Sequence, residues 1–253
     1  MQIRYRRSEA LTIKEREEIW GFFSKYVRRN RDTFEAKLDS GGEVFLGRDA
    51  RGTLVAFGAV EVLEGNADGP YAALVSHWAA FDPKHRGGTE LHQIGLRALL
   101  RYKLRHPTVP VYWLFSASTY KSYLLLARNT LTYWPRPSAP WPGRERAIVA
   151  DAMRRLGEDN FDPELGVIRR YGASRYLEGV VADDPAALRD HDVRFYSALN
   201  PGQTDGDTLV CLCPMSLENW VHIARSALRR LRRPRRVAKP TPRTSVTPVR
   251  RSA

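Results

Sequence analysis

Leu74-Val75-Ser76-His77-Trp78-Ala79-Ala80-Phe81-Asp82-Pro83-Lys84-His85-Arg86-Gly87-Gly88-Thr89 runs directly into Glu90–Leu104. An apolar run that ends at Asp82-Pro83, turns through Gly87-Gly88 and enters an amphipathic segment reads as a strand, a loop and the start of a helix. A loop of this composition can hold a phosphate group. Glycines let several backbone N–H groups crowd one point, the first helical turn adds unpaired N–H groups and a positive dipole end, and Lys84, His85 and Arg86 add charge. The same residues also suit a tight turn capped by Thr89, and the loop alone does not separate the two readings.

Toward the N-terminus, Ile3–Arg7 reads as a short strand, and Ser8 or Thr12 can cap a helix reaching about Tyr26. Leu11, Glu15, Ile19, Phe22, Phe23 and Tyr26 give that helix a mostly apolar stripe. A second helix over Arg31–Leu38 ends at Ser40-Gly41-Gly42. Two strands, Glu43–Arg48 and Thr53–Leu63, flank the hairpin loop Asp49-Ala50-Arg51-Gly52, and Tyr71–Phe81 is the strand that feeds the central loop. Beyond the loop, Leu91, Ile94, Gly95, Ala98, Leu99 and Tyr102 recur at helical spacing until Pro107 and Pro110 break the pattern. Val111–Ser116 is a continuous apolar run of the kind buried in mid-sheet, and Ser118 or Thr119 can cap a helix over about Tyr120–Asn129.

The order Phe81-x-Pro83-x-x-Arg86-Gly87 after a hydrophobic strand resembles the pyrophosphate loop of GNAT-type acyltransferases, and the element order from Ile3 to about Asn129 matches that family as well. The resemblance implies an α+β fold: a mixed, mostly antiparallel sheet flanked by helices over residues 1–131. A C-terminal α/β extension over 132–224 would complete or cover that core, and 225–253 would form the end of a basic helix and a disordered tail. The implied activity is transfer of an acyl group from acyl-CoA to a small-molecule amine, with CoA as co-substrate. The pantetheine arm would lie along Trp78, Ala79, Ala80 and Phe81, while Lys84, His85, Arg86, Gly87, Gly88 and Thr89 would take the diphosphate. The family usually has glycine or alanine three and five positions after the arginine, where Thr89 and Leu91 stand. That departure leaves room for an acyl-carrier-protein thioester as donor, or for a module of the same shape without a cofactor.

Acyl transfer from a thioester to an amine needs donors for the carbonyl oxygen, a route for the amine proton and often an acid for the leaving thiolate. The resemblance places the acid in the helix after the buried strand, where Tyr123 is the first candidate and Tyr120 the second. Glu61 and His77, on the two strands before the loop, are candidate bases; His77 suits proton transfer near neutral pH. Each of the three also suits a structural role, Tyr123 and His77 in the core and Glu61 facing solvent. Ser118, Thr119 and Ser122 lack a Gly-x-Ser-x-Gly elbow and a histidine close in sequence, so no serine nucleophile is expected.

The 253 residues are 43% hydrophobic, enough for a buried core. Net charge is +13, yet the segment from Arg225 holds eleven Lys and Arg and no acid, so the other 224 residues carry only about +2. Basicity therefore belongs to the C-terminus, which can contact an anionic membrane or nucleic acid, and not to the folded part. The start, Met1–Arg7, lacks a signal-peptide core and no apolar run approaches a membrane span, so a cytoplasmic location is expected. Cys211 and Cys213, one residue apart in a strand-like run, read as buried thiols, and with no trusted ligand spacing around His85 and His92 no metal is expected. In Thr132–Pro142 the prolines exclude a helix, leaving Trp134 and Trp141 either to pack on the core or to wall a substrate site.

Overall fold

A computed structural model describes residues 1–39, 42–85, 90–177 and 185–232. In chain order these form β1 (Gln2–Arg7), α1 (Ile13–Phe23), β2 (Val27–Arg29), α2 (Arg31–Asp39), β3 (Glu43–Arg48), β4 (Leu54–Asn66), β5 (Pro70–Phe81), α3 (Glu90–Arg105) and β6 (Val111–Ala117). They continue with α4 (Tyr120–Ala127), α5 (Gly143–Arg155), β7 (Phe161–Asp162), β8 (Val167–Ile168), β9 (Ser174–Tyr176), α6 (His191–Leu199), β10 (Thr208–Pro214) and α7 (Leu217–Arg232). The reading of a disordered tail falls on 233–253, outside the described residues.

One sheet runs in the order β1-β3-β4-β5-β6-β10-β8-β7, and every neighbouring pair in it is antiparallel except β5 and β6. The fold is therefore α+β with a mostly antiparallel sheet. Only the parallel pair needs a long crossover, and α3 supplies it. A separate ribbon joins β2 to β9, with Val27 opposite Tyr176 and Arg29 opposite Ser174. Strands of three residues carry too little periodic signal to fix their bounds from sequence.

Period-two alternation in the strands sorts the helices onto two faces. Val44, Leu46, Phe57 and Ala59 meet Ile19, Phe22 and Phe23 of α1 and Phe34 and Leu38 of α2. Farther along the same face, Ala73, Val75, Leu114 and Val210 meet Ile148, Val149, Ala152 and Met153 of α5. On the opposite face Phe45, Ala56, Val60 and Leu74 pack on Ile94 and Ala98 of α3, and Phe115, Ala117, Leu209 and Cys211 pack on α4 and α6. Cys211 and Cys213 are buried free thiols in that layer, and burial pushes the Cys213 thiol up to about 12. α1 opens on a capping box: Thr12 accepts from the Glu15 N–H at 3.2 Å and Glu15 accepts from the Thr12 N–H at 2.9 Å.

The C-terminal region is woven into this sheet. β10 pairs with β6 over Leu209–Pro214 and carries β8 on its other edge. Trp134 extends that edge, donating its N–H to the Leu212 carbonyl at 2.8 Å and accepting from the Leu212 N–H at 2.9 Å. Its ring is buried and lies 6.4 Å from the ring of Trp141, so the proline-aromatic segment is a packed strap. Ser216 opens α7, accepting from the Asn219 N–H at 3.3 Å. Asn219 staples the helix to the strap. Its amide accepts from the N–H groups of Leu131 (2.9 Å) and Thr132 (3.0 Å) and donates to the carbonyls of Thr132 (2.8 Å) and Pro214 (2.7 Å). Because Asn219→Ala leaves these buried groups without a partner, unfolding by urea is expected to show a loss of roughly 3 kcal/mol.

Candidate active site

The site begins where the parallel pair comes apart. β5 and β6 are in register from Ala72 opposite Val111 to Ser76 opposite Phe115 and no farther, although β5 continues to Phe81 and β6 to Ala117. On its other edge β5 takes an extra residue at the same place: Trp78 is opposite Ala59 and Ser76 opposite Val60, so His77 is a bulge. A bulge bends and over-twists its strand. From Trp78 to Ala80 the edge of β5 turned toward β6 therefore has no strand beside it. Trp113 Nε1 donates to Ser76 Oγ at 3.0 Å and closes the crotch of the fork.

The opening is a cleft of about 420 Å3 that passes through the sheet. It is lined by His77–Phe81 of β5, Trp113–Ser116 of β6 and Ser118, Thr119, Lys121 and Ser122 at the start of α4, with Arg29, Lys37, Glu158 and Arg170 on the side of α1, α2 and α5. Thr119 caps α4, accepting from the Ser122 N–H at 3.3 Å, so a helix N-terminus opens beside the cleft. Trp78 forms one wall, its ring stacked 4.7 Å from Phe34.

Glu61 follows Val60, whose side chain packs with α3, so it points to the face of α1 and α2, where it meets His77. The Glu61 Oε1 atom lies 2.8 Å from His77 Nε2, close enough to pair with an imidazolium but off the line of its N–H bond. Their side chains are only 6% and 14% exposed for His77 and Glu61 respectively, and of the two only His77 lines the cleft. This arrangement can accept a proton at the imidazole and stabilise the charge that results.

Tyr123 is elsewhere. It is wholly buried among Tyr133, Phe195 and Tyr196, donates its hydroxyl to the Pro135 carbonyl at 3.1 Å and does not line the cleft. Burial first, and then Tyr133, hold that hydroxyl far above its ordinary value. In this structure the hydroxyl read from sequence as a candidate acid is turned into the core and away from the cleft. Beyond Phe81, Asp82 anchors the turn: its N–H donates to the Val55 carbonyl at 2.8 Å and its carboxylate accepts from the Lys84 N–H at 2.9 Å. Lys84 and His85 thus sit in a short 3-10 turn, Pro83–His85, at the end of β5. Arg86, Gly87, Gly88 and Thr89 lie outside the described residues, and α3 follows them at Glu90.

Sequence reading missed the cationic side of the cleft. Glu158 accepts from Arg170 at 2.9 Å and stands 3.5 Å from Lys37 Nζ, which also donates to the Leu156 carbonyl at 2.9 Å. Burial pushes the Glu158 carboxyl up, but Arg170 and Lys37 outweigh it and hold the group below its ordinary value. Burial and Arg170 both lower Arg29, with Glu158 opposing them. These residues come from β2, α2 and two loops of the extension, and no local spacing links them.

No protein-family model and no curated protein sequence matches the chain. Among solved structures, the aminoglycoside antibiotic 6'-N-acetyltransferase of Acinetobacter haemolyticus is similar at 10% identity and a TM-score of 0.40, over 56% of this chain and 97% of that one. The ribosomal-protein-alanine N-acetyltransferase of Brucella melitensis is similar at 19% identity and a TM-score of 0.38, over 56% and 96% of the two chains. The GNAT family N-acetyltransferase YhbS of Escherichia coli, in complex with CoA, is similar at 16% identity and a TM-score of 0.34, over 58% and 77%.

Glu158 gives a pH test of the cationic side. Its folded value lies below the ordinary 4.5, so its stabilisation is complete above that pH and is lost as the pH falls through the folded value. Glu158→Gln is expected to lower Tm at pH 7 by several degrees, and the gap to the wild-type chain should close in melts at progressively lower pH.

Proposed function

We propose that the cleft is the active site of a GNAT-like N-acyltransferase that moves an acyl group from acyl-CoA, or from a carrier-protein thioester, to an amine. The observation that carries this reading is the fork between β5 and β6, whose free β5 edge leads straight into the basic glycine loop and the start of α3. A pantetheine arm is itself an amide chain, so it fits beside a strand edge that has lost its neighbour. In this reading it lies along Trp78–Phe81, with the diphosphate over Lys84–Thr89 at the N-terminus of α3. The donor then enters from the face of α3 and α4, and the acceptor reaches the thioester from the face of α1 and α2, where His77 and Glu61 stand.

The amine nitrogen attacks the thioester carbon, the C–N bond forms, and the C–S bond breaks with its electron pair leaving on sulfur as the thiolate, which takes a proton from solvent. His77 takes the proton that the amine loses, and Glu61 stabilises the imidazolium. Backbone N–H groups on the free edge of β5 supply donors for the carbonyl oxygen as it gains charge.

Calorimetric titration with CoA and a long-chain acyl-CoA tests the reading. Saturable binding is expected in the full chain, with Arg86→Ala weakening it about tenfold or more. His77→Ala is expected to keep the CoA affinity while lowering turnover by about 100-fold or more in a thiol-release assay over an amine panel. Absence of CoA binding by the wild-type chain, together with the absence of carrier-protein-dependent transfer, would overturn it. Tyr123→Phe leaves the Pro135 carbonyl without its partner, so a stability loss of about 1 kcal/mol with turnover retained is expected.

A further inference from the structure

The far side of the cleft holds more positive charge, and more unanswered hydrogen-bonding capacity, than its own residues balance. Arg29, Lys37 and Arg170 line it around one carboxylate, Glu158, and among the described residues the cleft lining has no other acid. Glu158 is engaged by Arg170 and Lys37, and it attracts Arg29 through space without pairing with its Nε. Arg29 Nε is buried and finds no hydrogen-bond partner among the described residues. The same holds for Thr208 Oγ1, at the first residue of β10, in a residue only 8% exposed. Thr208 alternates with Val210, which faces α5, so both orphan groups belong to the acceptor face. Ser174 is opposite Arg29 in the β2–β9 ribbon and lines the cleft on the same side.

Buried donors are almost always paired, and an uncompensated buried charge is costly. A cleft that keeps a guanidinium N–H and a hydroxyl unpaired beside a surplus of cations lacks an acceptor that is both anionic and rich in oxygen. We infer that the amine acceptor carries a carboxylate or phosphate group, bound by Arg29, Arg170 and Thr208 while the amine faces His77. This rests on the acyltransferase reading for the amine, but not for the anion pocket itself. A neutral or purely cationic amine would leave the surplus unanswered, and the pocket would reject it. Held at one end by its anion, the acceptor presents its nitrogen to the fork, which is the positioning that transfer needs.

Two matched pairs test the inference by calorimetry on the full chain with CoA present: L-phenylalanine against phenethylamine, and O-phosphoethanolamine against ethanolamine. The anionic member of at least one pair is expected to bind at least about tenfold more tightly than its neutral-tailed partner, and the pair that shows the gap tells carboxylate from phosphate. Arg29→Gln is expected to close most of the gap, and the near-isosteric Thr208→Val to narrow it, with CoA affinity unchanged in both. Equal binding within both pairs would overturn the inference. So would a gap that survives both substitutions, or substitutions that alter only the choice between succinyl-CoA and butyryl-CoA, which would assign the cations to the acyl group. A gap seen in a chain that binds neither CoA nor acyl-CoA and shows no carrier-protein-dependent transfer would remove the acyltransferase reading and leave the anion pocket standing.

Discussion

The end of pairing between β5 and β6 is the constraint on which the site depends. Two parallel strands that begin as neighbours cannot remain so once one of them is bent away, and the extra residue at His77 does this where the register with Phe115 ends. The break is tolerable because each strand keeps its other neighbour, β4 for β5 and β10 for β6, so only one edge of each is exposed. His77 keeps the face of Val75, where Glu61 stands, while the extra residue brings Trp78 onto that same face, so one irregularity both opens the fork and sets Trp78 beside His77.

The C-terminal region makes this fork affordable. Without β10, the far edge of β6 would be open along its length, and an apolar strand with two open edges is an aggregation hazard. β10 closes it, β8 and Trp134 cover the edge of β10 in turn, and Asn219 ties α7 to the strap. The same region furnishes Glu158, Arg170 and Thr208 to the cleft. Its roles in stability and in the site cannot be separated, because the ribbon of β2 with β9 draws the extension across the opening.

Charge is divided to match. The glycine loop with Lys84 and His85 leads toward α3 on one face, whereas Arg29, Lys37 and Arg170 gather on the other around a single carboxylate. Net charge could not reveal this, since the folded part is close to neutral overall and the excess lies in the C-terminal segment.

What the sequence determined by itself is whatever rests on local pattern. The Thr12 cap with Glu15, the Asp49–Gly52 turn, the apolar stripes of α1 and α3, and the strand-loop-helix order around Asp82-Pro83 are each written within a dozen residues, because caps, turns and periodicity are short-range effects. Tertiary structure alone decided the rest. Tyr123 and Tyr120 look alike beside apolar neighbours, and only packing against Tyr133 and Tyr196 shows that Tyr123 faces the core. His77 and Glu61 lie sixteen positions apart and meet only because β4 and β5 pair in a register that puts Glu61 opposite Val75, which no periodicity announces. Arg29, Glu158, Arg170 and Thr208 span most of the chain, and their convergence follows from strand order in the sheet and from a ribbon of three-residue strands, both set by long-range pairing.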